Sequence, residues 1–174
     1  MLSGETAAGA YPVQAVEMMA EICRKTEINL EERSEYHSNI NNDRDVSDAT
    51  GFAAVQTARR VNAKALVCPT LSGHTARIMS SFKPRLPIIA VSPDEGTLRR
   101  CAFYWGVEAI EAEEDSSFSA ICRSAMKGAK DAGLLKNSDI IVLTVGDPAS
   151  SPMPLEGTVT DDTPTNVMII AEVL

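Results

Sequence analysis

Four short apolar runs recur through the middle and end of the chain, at 65–68, 87–91, 107–110 and 140–145. Most are continuously apolar rather than alternating, which is the pattern of parallel strands covered on both faces. Helices are predicted between them, over 75–81, 94–103 and 117–131. A further helix runs through Ala53, Val55, Ala58 and Val61, with Ser47 as its N-cap. Short strands separated by helices of this length make repeated βαβ units with right-handed crossovers. The last apolar segment, 166–173, follows the fourth run with no helix between them, so it is expected to pair antiparallel. The pattern therefore predicts an α/β, three-layer domain with a five-stranded, mostly parallel sheet whose last strand is antiparallel.

The beginning of the chain does not fit that alternation. Pro12 suits a helix's first turn, and no helix breaker follows it as far as Leu30. Within 13–23 the polar residues are only Gln14, Glu17 and Glu21, which form one narrow stripe; apolar residues fill the rest of the circumference. Such a helix wants burial on several sides. Either the remaining domain wraps it, or its natural neighbour lies outside this chain. The next segment is polar and rich in Asn39, Asn41, Asn42 and Asp43, and reads as a linker. The organisation expected is thus 1–32 as a separate helical piece, 33–46 as a linker and 47–174 as the α/β domain.

Composition narrows the function classes. With 174 residues, 44% hydrophobic and 23% charged, the chain has one domain's worth of core and no low-complexity tract. A full (β/α)8 barrel, at roughly 250 residues, is excluded. No apolar run approaches the roughly 18 residues of a membrane span, and the N-terminus lacks a secretory leader's pattern. The net charge of −8 argues against nucleic-acid and anionic-membrane partners. That charge is unevenly spread: −6 over 1–48, +4 over 49–136, and −6 over 137–174, where no Lys or Arg follows Lys136. Cys23, Cys68, Cys101 and Cys122 form no CxxC pair, so buried free thiols in a reducing, cytoplasmic compartment are expected.

Ligands of open parallel sheets collect at the carboxyl ends of the strands. There the segment 68–76 runs from strand into helix and offers the hydroxyls of Thr70, Ser72 and Thr75 beside Gly73. Backbone N–H groups at a helix start, together with its dipole, favour a phosphate. Capping by Ser72 or Thr75, with Gly73 making the turn, explains the same residues, and the stretch alone leaves both readings open. No Walker A sequence and no GxGxxG occurs. At 92–97, capping and dipole compensation by Asp94 and Glu95 suffice. The Pro/Ser/Thr-rich loop 146–165, with Pro148, Pro152, Pro154 and Pro164, lies at the exit of the fourth strand and could close over a ligand seated on the first loop.

Catalytic constellations are scarce. His37 and His74 are the only histidines, and no acidic residue near His74 suggests a triad. Glu31-Glu32, Glu113-Glu114-Asp115 and Asp161-Asp162 read as solvated acidic runs, and Tyr104 and Trp105 as packing residues. From its own residues the chain reads as a binder rather than a catalyst.

The opening Met1-Leu2-Ser3-Gly4-Glu5-Thr6-Ala7, followed by Gly9, Tyr11-Pro12, Ala15-Val16 and Met18, closely resembles one stretch of the pyruvate kinases. In that family the stretch leaves the eighth strand of the catalytic barrel and enters its last helix. The remainder resembles the family's C-terminal domain. The matching pieces are Thr70-x-Ser72-Gly73-x-Thr75-Ala76, Lys83-Pro84-Arg85, Pro87–Val91, Trp105-Gly106-Val107 and Thr163-x-Thr165-Asn166-x-Met168.

The resemblance implies a parent enzyme that transfers phosphate from phosphoenolpyruvate to ADP with magnesium and potassium. The residues for that chemistry lie on earlier barrel strands, so no cofactor is expected in this chain and it should not catalyse alone. It would be either a truncated form or a stand-alone descendant of the regulatory domain. Residues 1–32 would then be the barrel's last strand exit and helix, which accounts for a helix apolar nearly all round. In allosteric relatives the loop matching 70–75 holds the effector's phosphate. On that basis Thr70, Ser72, Gly73, His74 and Thr75 are the expected phosphate ligands, with Gly146, Thr163 and Thr165 from the effector loop. Relatives that bind fructose 1,6-bisphosphate hold its second phosphate with basic side chains, some from the final loop. Here that loop carries Asp147, Glu156, Asp161 and Asp162, and Leu71 stands where some relatives are basic. A monophosphate such as glucose 6-phosphate, ribose 5-phosphate or AMP is therefore expected. The family's tetramers also imply a homo-oligomer. The alternatives are a purely structural oligomerisation module without effector and a stand-alone phosphosugar-binding protein.

Overall fold

A computed structural model describes residues 1–29, 46–112, 117–146 and 164–174. The chain divides into two compact units, Met1–Ile40 and Asn41–Leu174. In the first, a single turn, α1 (Gly4–Ala7), precedes the long helix α2 (Pro12–Asn29). On α2, Val13, Val16, Met18 and Ile22 are each more than half exposed. The apolar surface read from the sequence is thus open on this helix. Most of the expected linker, up to Asp45, lies outside the described residues.

The second unit runs α3 (Val46–Arg60), β1 (Ala65–Pro69), α4 (His74–Ser81), β2 (Ile88–Ser92), α5 (Glu95–Cys101), β3 (Val107–Glu111), α6 (Phe118–Asp131), β4 (Ile140–Val145) and β5 (Val167–Glu172). The sheet has the order β3-β2-β1-β4-β5. Every neighbouring pair is parallel except β4 with β5, where Ile140 faces Glu172 and Val145 faces Val167. The expected α/β architecture and the antiparallel last strand are both found.

Alternation within each strand builds two cores. Leu66, Cys68, Ile88, Ala90 and Val142 face Ala54, Val55, Ala58, Ala76, Met79 and Cys101 from α3, α4 and α5. Ala65, Val67, Ile89, Val91, Ile141 and Leu143 face Ala125 and Ala129 of α6 on the other side. Because side chains alternate across a sheet covered twice, the inner strands are apolar at nearly every position, with Ser92 and Thr144 the buried exceptions. The edge strands are not: Glu108 and Glu111 of β3, and Met168, Ile170 and Glu172 of β5, are exposed.

Several predicted boundaries move for local reasons. Asp94 stands outside α5 as its N-cap, its carboxylate accepting the Thr97 N–H at 2.7 Å. Ser117 caps α6 in the same way, accepting the Ala120 N–H at 3.3 Å. Ser47 does not cap α3, which begins one residue earlier; its buried hydroxyl is used elsewhere. All four cysteines are free. Cys68 and Cys101 are buried as expected, Cys122 is half-buried and Cys23 is exposed. No helix among the described residues is long and apolar enough to cross a membrane.

Candidate functional site

The turn between β1 and α4 sits at the carboxyl end of the central strand and is tied down on each side. As the chain leaves β1, the Thr70 N–H donates to the Val91 carbonyl of β2 at 2.9 Å. The next carbonyl, of Leu71, accepts the Thr97 hydroxyl of α5 at 2.6 Å. Arg100 in turn donates to that Thr97 hydroxyl and stands 3.7 Å from the Asp94 carboxylate. The hydrogen bonds from Thr97 hold the Asp94 carboxyl below the usual aspartate range, with the Arg100 charge adding to the effect. The sequence showed the cap at 92–97 but not this second use, in which α5 pins the neighbouring turn.

Gly73 closes the turn. Its N–H donates to the Thr70 hydroxyl at 2.9 Å, its φ is +81°, and its carbonyl accepts the Arg77 N–H at 3.0 Å, the first bond of α4. No side chain caps this helix, so neither Ser72 nor Thr75 plays the capping part that the sequence left open. The Ser72 side chain is half-buried and makes no hydrogen bond among the described residues. His74 is exposed at the helix start, with Arg77 exposed one turn along. A left-handed glycine ahead of an uncapped helix leaves first-turn amides available to an anion.

Thr75 is buried, and its hydroxyl oxygen lies 2.6 Å from that of Thr165, just ahead of β5. The Thr165 N–H donates to Ser47 Oγ on α3 at 3.0 Å. Thr165 is therefore brought to the 70–75 turn through Thr75. The pairing of Val145 with Val167 sets Gly146 level with Asn166, but no hydrogen bond joins Gly146 to the turn. Thr163 lies outside the described residues. Ser47, Thr97 and Arg100 are the supports that sequence reasoning missed.

Behind the turn, burial pushes the Cys68 and Cys101 thiols up, which disfavours the thiolate form. Tyr104 packs into the same core, and Trp105 accepts the Ser80 hydroxyl through its carbonyl at 2.7 Å while Lys83 lies 6.0 Å from its ring. Among the described residues no three His, Cys, Asp or Glu side chains converge as metal ligands.

Comparison with known proteins gives this geometry its context. The family described as "Pyruvate kinase, alpha/beta domain" matches residues 48–156, well over half of the chain. The chain belongs to the pyruvate kinase family. It is 39% identical to the pyruvate kinase of Geobacillus stearothermophilus over 149 residues, covering 85% of this chain and 25% of that protein. The pyruvate kinase of Staphylococcus epidermidis is 37% identical over 153 residues, with 85% and 26% covered. The crystal structure of Cryptosporidium parvum pyruvate kinase superposes with a TM-score of 0.75 at 28% identity, covering all of this chain and 32% of that one. The chain thus spans about a quarter of the length of the curated pyruvate kinases it matches. Its five-stranded unit is the pyruvate kinase C-terminal domain.

Proposed function

We propose that this chain acts as the regulatory part of a pyruvate kinase, seating the phosphate of a small effector on the 70–75 turn. The carrying observation is the start of α4: Gly73 at φ +81° with no side-chain cap, in a turn tied to both β2 and α5. Gly73 shapes the turn, the His74 and Thr75 backbone N–H groups and the hydroxyls of Thr70, Ser72 and Thr75 supply donors, and the His74 side chain adds a contact from the exposed side. Gly146, Thr163 and Thr165 contribute from the effector loop. In this reading the enzyme transfers phosphate from phosphoenolpyruvate to ADP in the cytoplasm, with magnesium and potassium held by other residues. The 174 residues alone do not catalyse. Residues 1–32 belong to the catalytic barrel, 33–46 link, and 47–174 regulate; the division into compact units near residue 40 supports this.

The effector carries one phosphate. Residues 137–174 hold six acidic side chains and no Lys or Arg, so a second phosphate beside the final loop would meet like charge. Calorimetry with glucose 6-phosphate, ribose 5-phosphate, AMP and fructose 1,6-bisphosphate tests the reading. One of the monophosphates should bind tighter than the bisphosphate; the reverse order would reject this assignment.

Edge geometry favours a second, compatible role in homo-oligomer assembly. β5 is an edge strand, and Met168 and Ile170 project from it, 36% and 51% exposed. An edge with apolar side chains is a template for a second copy. If the chain self-associates in light scattering, Ile170→Lys should abolish it; loss on removing residues 1–30 alone would assign the association to α2.

A further inference from the structure

Three hydroxyl-bearing residues from distant parts of the chain meet beside the first turn of α4. Ser47 comes from the first turn of α3, Thr75 from α4 and Thr165 from the segment entering β5, and all three are buried. The Thr165 amide donates to Ser47 Oγ at 3.0 Å, and the Thr165 and Thr75 hydroxyl oxygens stand 2.6 Å apart. A hydroxyl has one proton to give. Between the two threonines either can be the donor. Once Thr75 donates outward to an anion, its proton is committed, and only the Thr165 proton can bridge the pair. The order is then fixed as Thr165 to Thr75 to anion, and each bond polarises the next.

We infer that Thr165 and Ser47 are positioning residues for Thr75: Ser47 fixes the Thr165 backbone, and Thr165 holds the first turn of α4 and orients the Thr75 hydroxyl. Thr165 acts through Thr75 rather than by touching the effector. The contribution of Thr165 to the site is then that of an anchor. Ser47, which the sequence offered as a helix cap, serves this anchor instead. The hydroxyl order rests on the proposal that the 70–75 turn binds phosphate, whereas the holding of the turn does not.

The test separates these two. In the ligand-free 174-residue chain, amide hydrogen exchange at Arg77, whose N–H reports the first bond of α4, is compared among wild type, Thr165→Val and Thr165→Ser. Thr165→Val should exchange about tenfold faster, and Thr165→Ser, which keeps the hydroxyl, should restore the wild-type rate. Ser47→Ala, which removes only the acceptor of the Thr165 amide, should shift exchange in the same direction by a smaller factor and covers the case in which Thr165→Val does not fold. Glucose 6-phosphate is then titrated into each variant, with about tenfold weaker binding expected for Thr165→Val and rescue by Thr165→Ser. Wild-type exchange at Arg77 in both Thr165→Val and Ser47→Ala would overturn the positioning role, whether or not the phosphate binds. Equal loss in the Val and Ser variants would overturn it too, as mere packing. Failure of the wild type to bind glucose 6-phosphate would instead reject the phosphate site and the hydroxyl order, with the exchange result still deciding the anchor.

Discussion

Gly73 lies directly against Cys101: a Cβ built on the glycine comes 3.2 Å from the buried thiol sulfur, with Thr97 Cγ2 at 3.6 Å behind it. Two independent constraints therefore meet at one position, because the backbone also has φ +81°. Gly73→Ala should cost about 1–3 kcal/mol in urea denaturation, from left-handed strain and the crowded sulfur together. Adding Cys101→Ala removes the crowding but not the strain. Starting from the Cys101→Ala protein, the glycine substitution should therefore cost less than it does in the wild type.

The Asp94 cap has a signed pH dependence. Its folded-state value lies below the ordinary 3.8, so it stabilises the fold above that value and the benefit fades as pH falls through the lowered one. The melting-temperature gap between wild type and Asp94→Ala should be full at neutral pH and shrink below pH 3.8. Asp94→Asn should keep most of the cap at neutral pH, since asparagine also accepts the Thr97 N–H.

Position in the sheet should decide the cost of shortening a side chain. Leu66 in β1 is fully buried between helices and central strands, and Leu66→Ala should cost about 2–5 kcal/mol. Ile170 is 51% exposed at the β5 edge, and Ile170→Ala in the monomer should cost less than about 1 kcal/mol. Chemical denaturation of the two variants side by side checks the contrast.

Thr97 supports the turn from α5 through the Leu71 carbonyl. Thr97→Val keeps the shape and removes the donor, leaving that carbonyl without its partner. The substitution should destabilise the domain by about 1–3 kcal/mol and broaden the amide resonances of 70–73. Unchanged stability and unchanged spectra would show that the turn holds itself.

Much of the architecture is written locally. The run 140–145 becomes β4 with the same bounds, because a strand covered on both faces is apolar at nearly every position, Thr144 being the one polar residue. The sequence shows no helical period between the fourth apolar run and the last one, and that reading predicts the antiparallel pairing found between β4 and β5. What connects distant residues is not local. Ser47 looks like a cap because it precedes an apolar period, yet its hydroxyl serves Thr165, 118 positions away. Thr97 reads as part of a helix start, and only the packing of α5 beside β1 gives its hydroxyl a carbonyl to reach. The 70–75 turn was visible as a strand-to-helix passage rich in hydroxyls. Its left-handed glycine packs against Cys101 and Thr97 of α5, a contact that no spacing rule encodes.

The central claim is that the start of α4 holds a phosphate monoester, and the amides of the turn report it most directly. Glucose 6-phosphate titrated into the 15N-labelled chain should move the Gly73, His74 and Thr75 amide resonances furthest, saturably, and Gly73→Ala should weaken the effect. Shifts centred elsewhere, or none at saturating ligand for any of the three monophosphates, would contradict the account.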